Sequence, residues 1–393
     1  MNSKKRLRIC MAVPDANDVS GAAHRDKERQ SPILHSAMHN LLIGLRDFED
    51  IEVEVAYGRM NPEMGEDRWD GCIHYTPVRY KPIPIPGMGG PYIARTMALL
   101  RHIKRRNPDV VHGQGTERES GLVAALCGRP SVLTLHGNFR EIAASMNFPY
   151  LSYFRFAAMI ESFCLPRVSG VHCISSATKR SVEAKAKQTW VIPNAVHEDF
   201  FKLERKTGSH PYVICVAGIS EWKNQLLLVE ASDQLHLAFP DLEVHFIGTC
   251  HESSSYGKEF LESIRNRPWC HHHAQCHRDE ILRHMEKTTC SVLPSTQENF
   301  GLVVAEALAA GIPCLGSNIG GIPDIISPGV DGELFDPTSV EELAQQLIKT
   351  HMDHRMVSRY AAEGKISAQR RFSSRAIANA HIVMYHEILA KKE

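Results

Sequence analysis

Apolar residues gather in short runs near 8–13, 51–57, 110–112, 131–135, 170–175 and 189–193, and these runs predict strands. Between most of them apolar positions recur every three or four residues, the period of a helix with one buried face. The clearest early helix takes Ser31 as N-cap and Pro32 in its first turn, with Ile33, Leu34, Ala37, Met38, Leu41, Leu42 and Leu45 along one side. A second alternating series follows Ile192-Pro193-Asn194, with strands near 212–218, 243–248, 290–293 and 312–316 and helices near 224–239, 278–287 and 300–310. Ser339-Val340-Glu341-Glu342 has the spacing of a capping box and predicts a helix over 339–350. A last periodic segment over 374–390 assigns Ile377, Ile382, Val383, Tyr385 and Ile388 to buried positions. Strands that alternate with helices form parallel sheets, so the pattern predicts two similar α/β halves.

The Pro/Gly-dense stretch over 80–91 interrupts this alternation and is expected to be a surface loop, because proline lacks an amide donor and fixes φ. The chain has 393 residues, enough for two or three domains with large cores. Its 45 Lys+Arg balance 45 Asp+Glu, so overall charge supplies no attraction to nucleic acid, and any phosphate site must be built locally. Met1-Asn2-Ser3-Lys4-Lys5-Arg6 leads into a strand rather than a signal-peptide core, and no uncharged run is long enough to span a bilayer. A cytoplasmic protein is expected. The 11 cysteines are odd in number, scattered and without a Cys-x-x-Cys pair; Cys10, Cys215 and Cys314 lie in apolar runs, where a free thiol acts as a small hydrophobe.

The segment with most chemistry is 293–308, where a strand end passes through a polar turn into an apolar helix. Starting that helix near Phe300 or Gly301 leaves its first amides without intrahelical acceptors, and with the helix dipole they suit a phosphate-like anion. Gly301 lets a ligand approach the backbone. Glu298 then precedes the helix and Glu306 lies two turns along it, separated by at most about 12 Å of helical rise. One carboxylate can hold sugar hydroxyls and the other a ribose, with the diphosphate between them. In 216–224, Gly218 ends a strand and Lys223 opens the next helix, placing a cation to neutralise the diphosphate. The plainer reading of these residues is an acidic helix start, a surface glutamate and a solvated lysine.

Together these segments resemble retaining glycosyltransferase family 4. Glu298-Asn299-Phe300-Gly301 through Glu306 resembles that family's Glu-x7-Glu signature. Ala309-Ala310-Gly311-Ile312-Pro313, Gly320-Gly321-Ile322-Pro323-Asp324 and 330–337 resemble the segments that follow it. Upstream, 191–196 is similar to the family's interdomain segment, and Asp109-Val110-Val111-His112 and Thr134-Leu135-His136-Gly137 to its N-terminal signatures. The resemblance covers roughly 105–340 and implies a GT-B fold of two facing Rossmann-like domains with a cleft between them. It implies an acceptor-side domain over 1–195, a donor domain over 196–372, and a C-terminal helix over 373–393 that packs back on the first. By the same resemblance Glu298 contacts the donor sugar, Glu306 the ribose and Lys223 the diphosphate, while His136 approaches the sugar. Gly218, Asn224, Asn299, Phe300, Gly301 and Leu302 complete the donor site, and Ser20 and Gly21 belong to an acceptor loop. The implied reaction moves a sugar from a nucleoside diphosphate to a hydroxyl acceptor (a glycan, a lipid-linked group or a small molecule) with retention, without a required cofactor or metal. Two positions depart from the pattern. Ile219 stands where the family has Arg, with Lys223 one residue closer than usual, and the charged Arg25-Asp26-Lys27-Glu28-Arg29 follows the acceptor-loop glycine.

Other readings carry less. Residues 269–277 hold six potential metal ligands in nine positions, but strand alternation sends neighbours to opposite faces, and no metal is assigned. His35 and His39 lack the intervening Glu of a His-Glu-x-x-His site. No Gly-x-Gly-x-x-Gly turn follows the first strand, which argues against a dinucleotide oxidoreductase. A sugar-nucleotide epimerase and a non-catalytic nucleotide-sugar-binding protein remain as alternatives. Arg101, Lys104, Arg105 and Arg106 after Met97-Ala98-Leu99-Leu100 raise a peripheral membrane contact, against the plainer reading of a packed helix with a solvated end.

Overall fold

The computed structural model describes residues 6–13, 37–60, 67–81, 89–116, 119–145, 152–206, 212–274 and 276–391. They form two α/β units, one running to Pro193 and taking back Ser374 onward, the other comprising Asn194–Ser373.

The first unit is built on strands β1 (Leu7–Val13), β2 (Ile51–Arg59), β3 (Arg68–Asp70), β4 (Ile73–Arg79), β5 (Val110–Gln114), β6 (Ser131–Leu135), β7 (Gly170–Cys173) and β8 (Thr189–Val191). They form one sheet in the order β3-β4-β2-β1-β5-β6-β7-β8, parallel except for the β3–β4 pair. Every residue of β5, β6 and β7 is buried, as in a sheet with both faces covered by helices. The order turns at β1, since β2 and β5 flank it.

The helix Ala37–Leu45 buries Met38, Leu41, Leu42 and Leu45, as its periodicity predicts; the N-cap assigned to Ser31 lies outside the described residues. The C-terminal helix Ser374–Ala390 packs on it. A Cβ at Gly44 would meet the Ser374 carbonyl oxygen at 2.0 Å, so the two helices meet where one residue has no side chain. Ile377, Tyr385 and Ile388 are buried as expected, but Val383 is exposed; its place in the core is taken by His381 and Met384. The loop expected over 80–91 also needs correction, because a helix spans Gly89–Arg106. Pro91 falls in its first turn, where a helix needs no amide from it. In this helix Ala98 and Leu99 are buried, and Arg106 pairs with Glu54 and Glu52.

The second unit contains β9 (Tyr212–Val216), β10 (Glu243–Ile247), β11 (Cys270–His273), β12 (Cys290–Leu293), β13 (Cys314–Ser317) and β14 (Gly332–Phe335). All pairs are parallel, in the order β11-β10-β9-β12-β13-β14. Counted within the unit this is 3-2-1-4-5-6, the doubly wound arrangement whose strand order reverses between its first and fourth strands. The expected helices appear at Gln225–Ala238, Arg278–Lys287, Leu302–Ala309 and Val340–Met352, the last capped by Ser339, whose hydroxyl accepts from the Glu342 amide. All 11 cysteines are free thiols, with Cys10, Cys215 and Cys314 buried in the cores. Among the described residues no helix is long and apolar enough to cross a membrane.

Candidate functional site

In a doubly wound sheet the loops that leave the carboxyl ends of the first and fourth strands part to opposite faces and open a crevice. In the second unit these are the loops after β9 and β12, and they carry the residues singled out in the sequence. The two loops are tied together: the Thr296 amide donates to the Trp222 carbonyl at 2.9 Å, and the Lys223 ammonium is ion-paired with the Glu298 carboxylate.

Gly218 follows β9. A Cβ there would meet only the Thr249 carbonyl oxygen, at 3.8 Å, so one side of the backbone is open. Ile219 is buried in the core around β9 and β10, and its amide donates to Thr249, so this position supplies no cation. Lys223 and Asn224 close a turn by donating to the Ser220 carbonyl, and Asn224 takes left-handed φ at the helix start. Its side-chain amide donates to the Pro337 carbonyl at 2.9 Å, which holds the loop before Ser339 against the site.

Beyond β12, Gly301 is the N-cap of the helix Leu302–Ala309, in left-handed φ of 96° and without a side-chain cap. The helix therefore presents its first amides without a side-chain cap at Gly301, the arrangement that suits an anion. The Phe300 ring is buried edge-on to Phe372, with centroids 6.0 Å apart, so Phe300 faces the site through its backbone. Asn299 and Leu302 are half-buried. Glu306, two turns along, is buried; burial pushes its pKa up to about 8 against the pull of Arg278, so the carboxyl is largely protonated at neutral pH. It can then donate as well as accept a hydrogen bond.

The shape of this turn depends on Gly320 and Gly321, which carry no functional group of their own. Gly320, at φ 58°, lies so close to the turn that a Cβ would meet the Glu298 carbonyl oxygen at 1.8 Å. At Gly321 a Cβ would meet the Asn299 carbonyl oxygen at 2.5 Å, and the Gly321 amide donates to the Glu298 carbonyl. The Gly-Gly pair is the signal, since only a backbone without side chains approaches another this closely.

In the first unit His136 follows β6 and is half-buried, its Nε2 3.2 Å from Gln114 Oε1. Burial lowers its pKa to about 4, so the ring is neutral at neutral pH. Gln114 continues to His112 Nε2, 3.3 Å away, and His112 meets Thr134 Oγ1 at 2.6 Å and the Tyr385 hydroxyl at 2.7 Å. Thr134 in turn meets His172, which donates to the Ile192 carbonyl at 2.8 Å. A buried polar chain thus links His136 to the C-terminal helix and to the residues leaving the unit. Ser20 and Gly21 lie outside the described residues.

Two family models match the chain. Glycosyltransferase Family 4 covers residues 36–200 and Glycosyl transferases group 1 covers 196–366. The N-acetyl-alpha-D-glucosaminyl L-malate synthase of Bacillus anthracis is 35% identical over 115 residues, 28% of this chain and 29% of the relative. The sulfoquinovosyl transferase of Arabidopsis thaliana is 26% identical over 274 residues, 65% of this chain and 52% of the relative. The matched parts thus span about half or less of these relatives. Sucrose-phosphate synthase from Thermosynechococcus elongatus has the same fold, with TM-score 0.75 and 16% identity over 98% of this chain and 100% of the other. So does the Anabaena protein HepE in complex with UDP-glucose, with TM-score 0.67 and 18% identity over 98% and 100%.

Proposed function

We infer, because the chain belongs to glycosyltransferase family 4, that it transfers a sugar from a nucleoside diphosphate sugar to a hydroxyl acceptor with retention at the anomeric carbon. The observation that carries this reading is the second unit's crevice, where one loop offers Lys223, the other offers Glu298, and an uncapped helix start leads to the buried Glu306. A diphosphate meets its charge requirement there from the ammonium and the helix amides. Its flanking sugar and ribose meet theirs from the two carboxyl groups.

In the reaction the bond between the anomeric carbon and the diphosphate oxygen breaks, the bond to the acceptor oxygen forms, and the acceptor's hydroxyl proton passes to the departing diphosphate. Charge develops on the departing diphosphate, and Lys223 with the amides at Leu302 is positioned to stabilise it. Glu298 orients the sugar through its hydroxyls while holding Lys223 in place, so that positioning and charge stabilisation share one pair. Glu306 in its protonated form donates to one ribose oxygen. We assign His136, as a neutral imidazole, to contact with the transferred sugar. No step requires a resident metal.

The test incubates purified protein with a panel of nucleotide sugars and hydroxyl acceptors and follows product by NMR. Nucleoside diphosphate release coupled to a glycoside of the donor's own anomeric configuration supports the reading. An isomerised donor would instead indicate an epimerase, saturable donor binding without turnover a binding protein, and an inverted product would refute retention.

A further inference from the structure

The histidine-rich segment around β11 has a geometry that its sequence conceals. Alternation along the strand sends His272 to one face, where its Nε2 lies 2.9 Å from the Gly248 carbonyl oxygen and its ring stands edge-on to Phe260. His271 and His273 share the other face. On that face the neighbouring strand β10 presents His245, and the helix Arg278–Lys287 presents His284. His245 Nδ1 and His273 Nε2 are 2.9 Å apart, and the His273 and His284 ring centroids are 4.5 Å apart. One nitrogen from each of the three rings lies within 4.8 Å of the others.

We propose that His245, His273 and His284 bind a divalent transition-metal ion of the kind imidazole favours, such as Zn²⁺. A tetrahedral Zn²⁺ at about 2.0–2.1 Å from each nitrogen holds its ligand atoms about 3.3 Å apart, so small side-chain rotations bring the three to it. Their outer partners fit the same purpose. Glu243 Oε2 lies 3.0 Å from His245 Nε2, and because a carboxylate only accepts, it fixes the proton there and leaves the Nδ1 lone pair facing His273. The Tyr212 hydroxyl lies 2.6 Å from His284 Nδ1; with that nitrogen donating, Nε2 of His284 is left for the ion. Tyr212 also stacks on His245, with centroids 4.2 Å apart and 14° between the planes. In the ion-free form His273 Nε2–H donates to His245 Nδ1. On binding, the ion takes that position, His273 carries its proton on Nδ1, and no net proton is released.

Beside the site, Glu243, the outer partner of His245, lines a surface depression of about 530 Å³ together with His271, Trp269 and His236. β11 is the edge strand of its sheet, so the ion would join the edge to its neighbour and to the helix that covers them. The site lies on other elements than the Lys223–Glu298 pair and does not depend on the proposed transfer reaction.

The test uses untagged, chelator-treated full-length protein titrated with Zn²⁺ and Co²⁺. One equivalent should bind, raise Tm, and with Co²⁺ give the visible bands of a tetrahedral site. His273→Gln and His284→Gln should each weaken Zn²⁺ binding more than about a hundredfold, and Tyr212→Phe about tenfold. The unsubstituted Co²⁺ protein supplies a second readout that no folding defect can mimic: three paramagnetically shifted imidazole resonances support the assignment, and fewer overturn it. Failure to bind one equivalent, or binding insensitive to both histidine substitutions, would overturn it as well. So would loss in His271→Gln with retention in His284→Gln.

Discussion

Lys223 and Glu298, 75 residues apart in the chain, form an ion pair that bridges the loops after β9 and β12. In the proposed reaction the same ammonium serves the departing diphosphate, and Ile219 offers no second cation beside it. Lys223→Met should therefore lower kcat/KM by about 10²-fold or more, as expected when one stabilising donor is removed. Steady-state kinetics check this, with Lys223→Arg recovering part of the loss. Near-normal kcat/KM in Lys223→Met would remove the cation from the mechanism.

Gly320 is left-handed and in contact with the Glu298 carbonyl. Gly320→Ala forces both a strained φ and a backbone clash, at a cost of about 1–3 kcal/mol or more. The expected result is a lower urea midpoint together with weaker donor binding, because the displaced turn carries Glu298. An unchanged midpoint with normal donor affinity would show that the turn tolerates the shift.

The two units should respond to pH in opposite directions. Glu306 has a folded pKa of about 8 against an ordinary 4.5, so its contribution to stability is fully present below about 4.5 and is lost as pH rises toward 8. Glu306→Gln should flatten that decline in a Tm-against-pH profile of the unliganded protein. A decline of the same size in the variant would place its origin elsewhere.

In the first unit, burial holds His112 and His172 well below the ordinary 6.5 and lowers His136 and His381 to about 4. Depressed histidines contribute stability above about 6.5 that is lost as pH falls through the folded values. The unit should loosen between about pH 6.5 and 4, seen as faster amide exchange in β5 and β6 and in the C-terminal helix. Exchange in these elements that stays constant over the interval would contradict this.

Tyr385→Phe leaves His112 Nδ1 without its hydroxyl partner in the core. The expected destabilisation is about 1–3 kcal/mol, the cost of an unmet buried polar atom. Urea unfolding measures it, and a value near zero would mean that the ring finds another partner.

Local pattern carried much of this protein. Ten of the strands, the cap at Ser339, the buried face of Ala37–Leu45 and the spacing of Glu298 from Glu306 follow from periodicity and turn chemistry within a dozen residues, whereas β3, β4, β11 and β14 are too short or too polar to stand out as apolar runs. Val383 and the helix beginning at Gly89 went otherwise because periodicity leaves the limits of a buried stripe open, and because proline is tolerated in a helix's first turn. What only the tertiary structure decided are the meetings between distant segments: Lys223 with Glu298, Gly320 beneath the Glu298 carbonyl, His112 with Tyr385, and His245 with His273 and His284. The physical reason is that a side chain's local period gives the face it occupies, while its partner on that face is set by strand order and register, which local spacing does not encode.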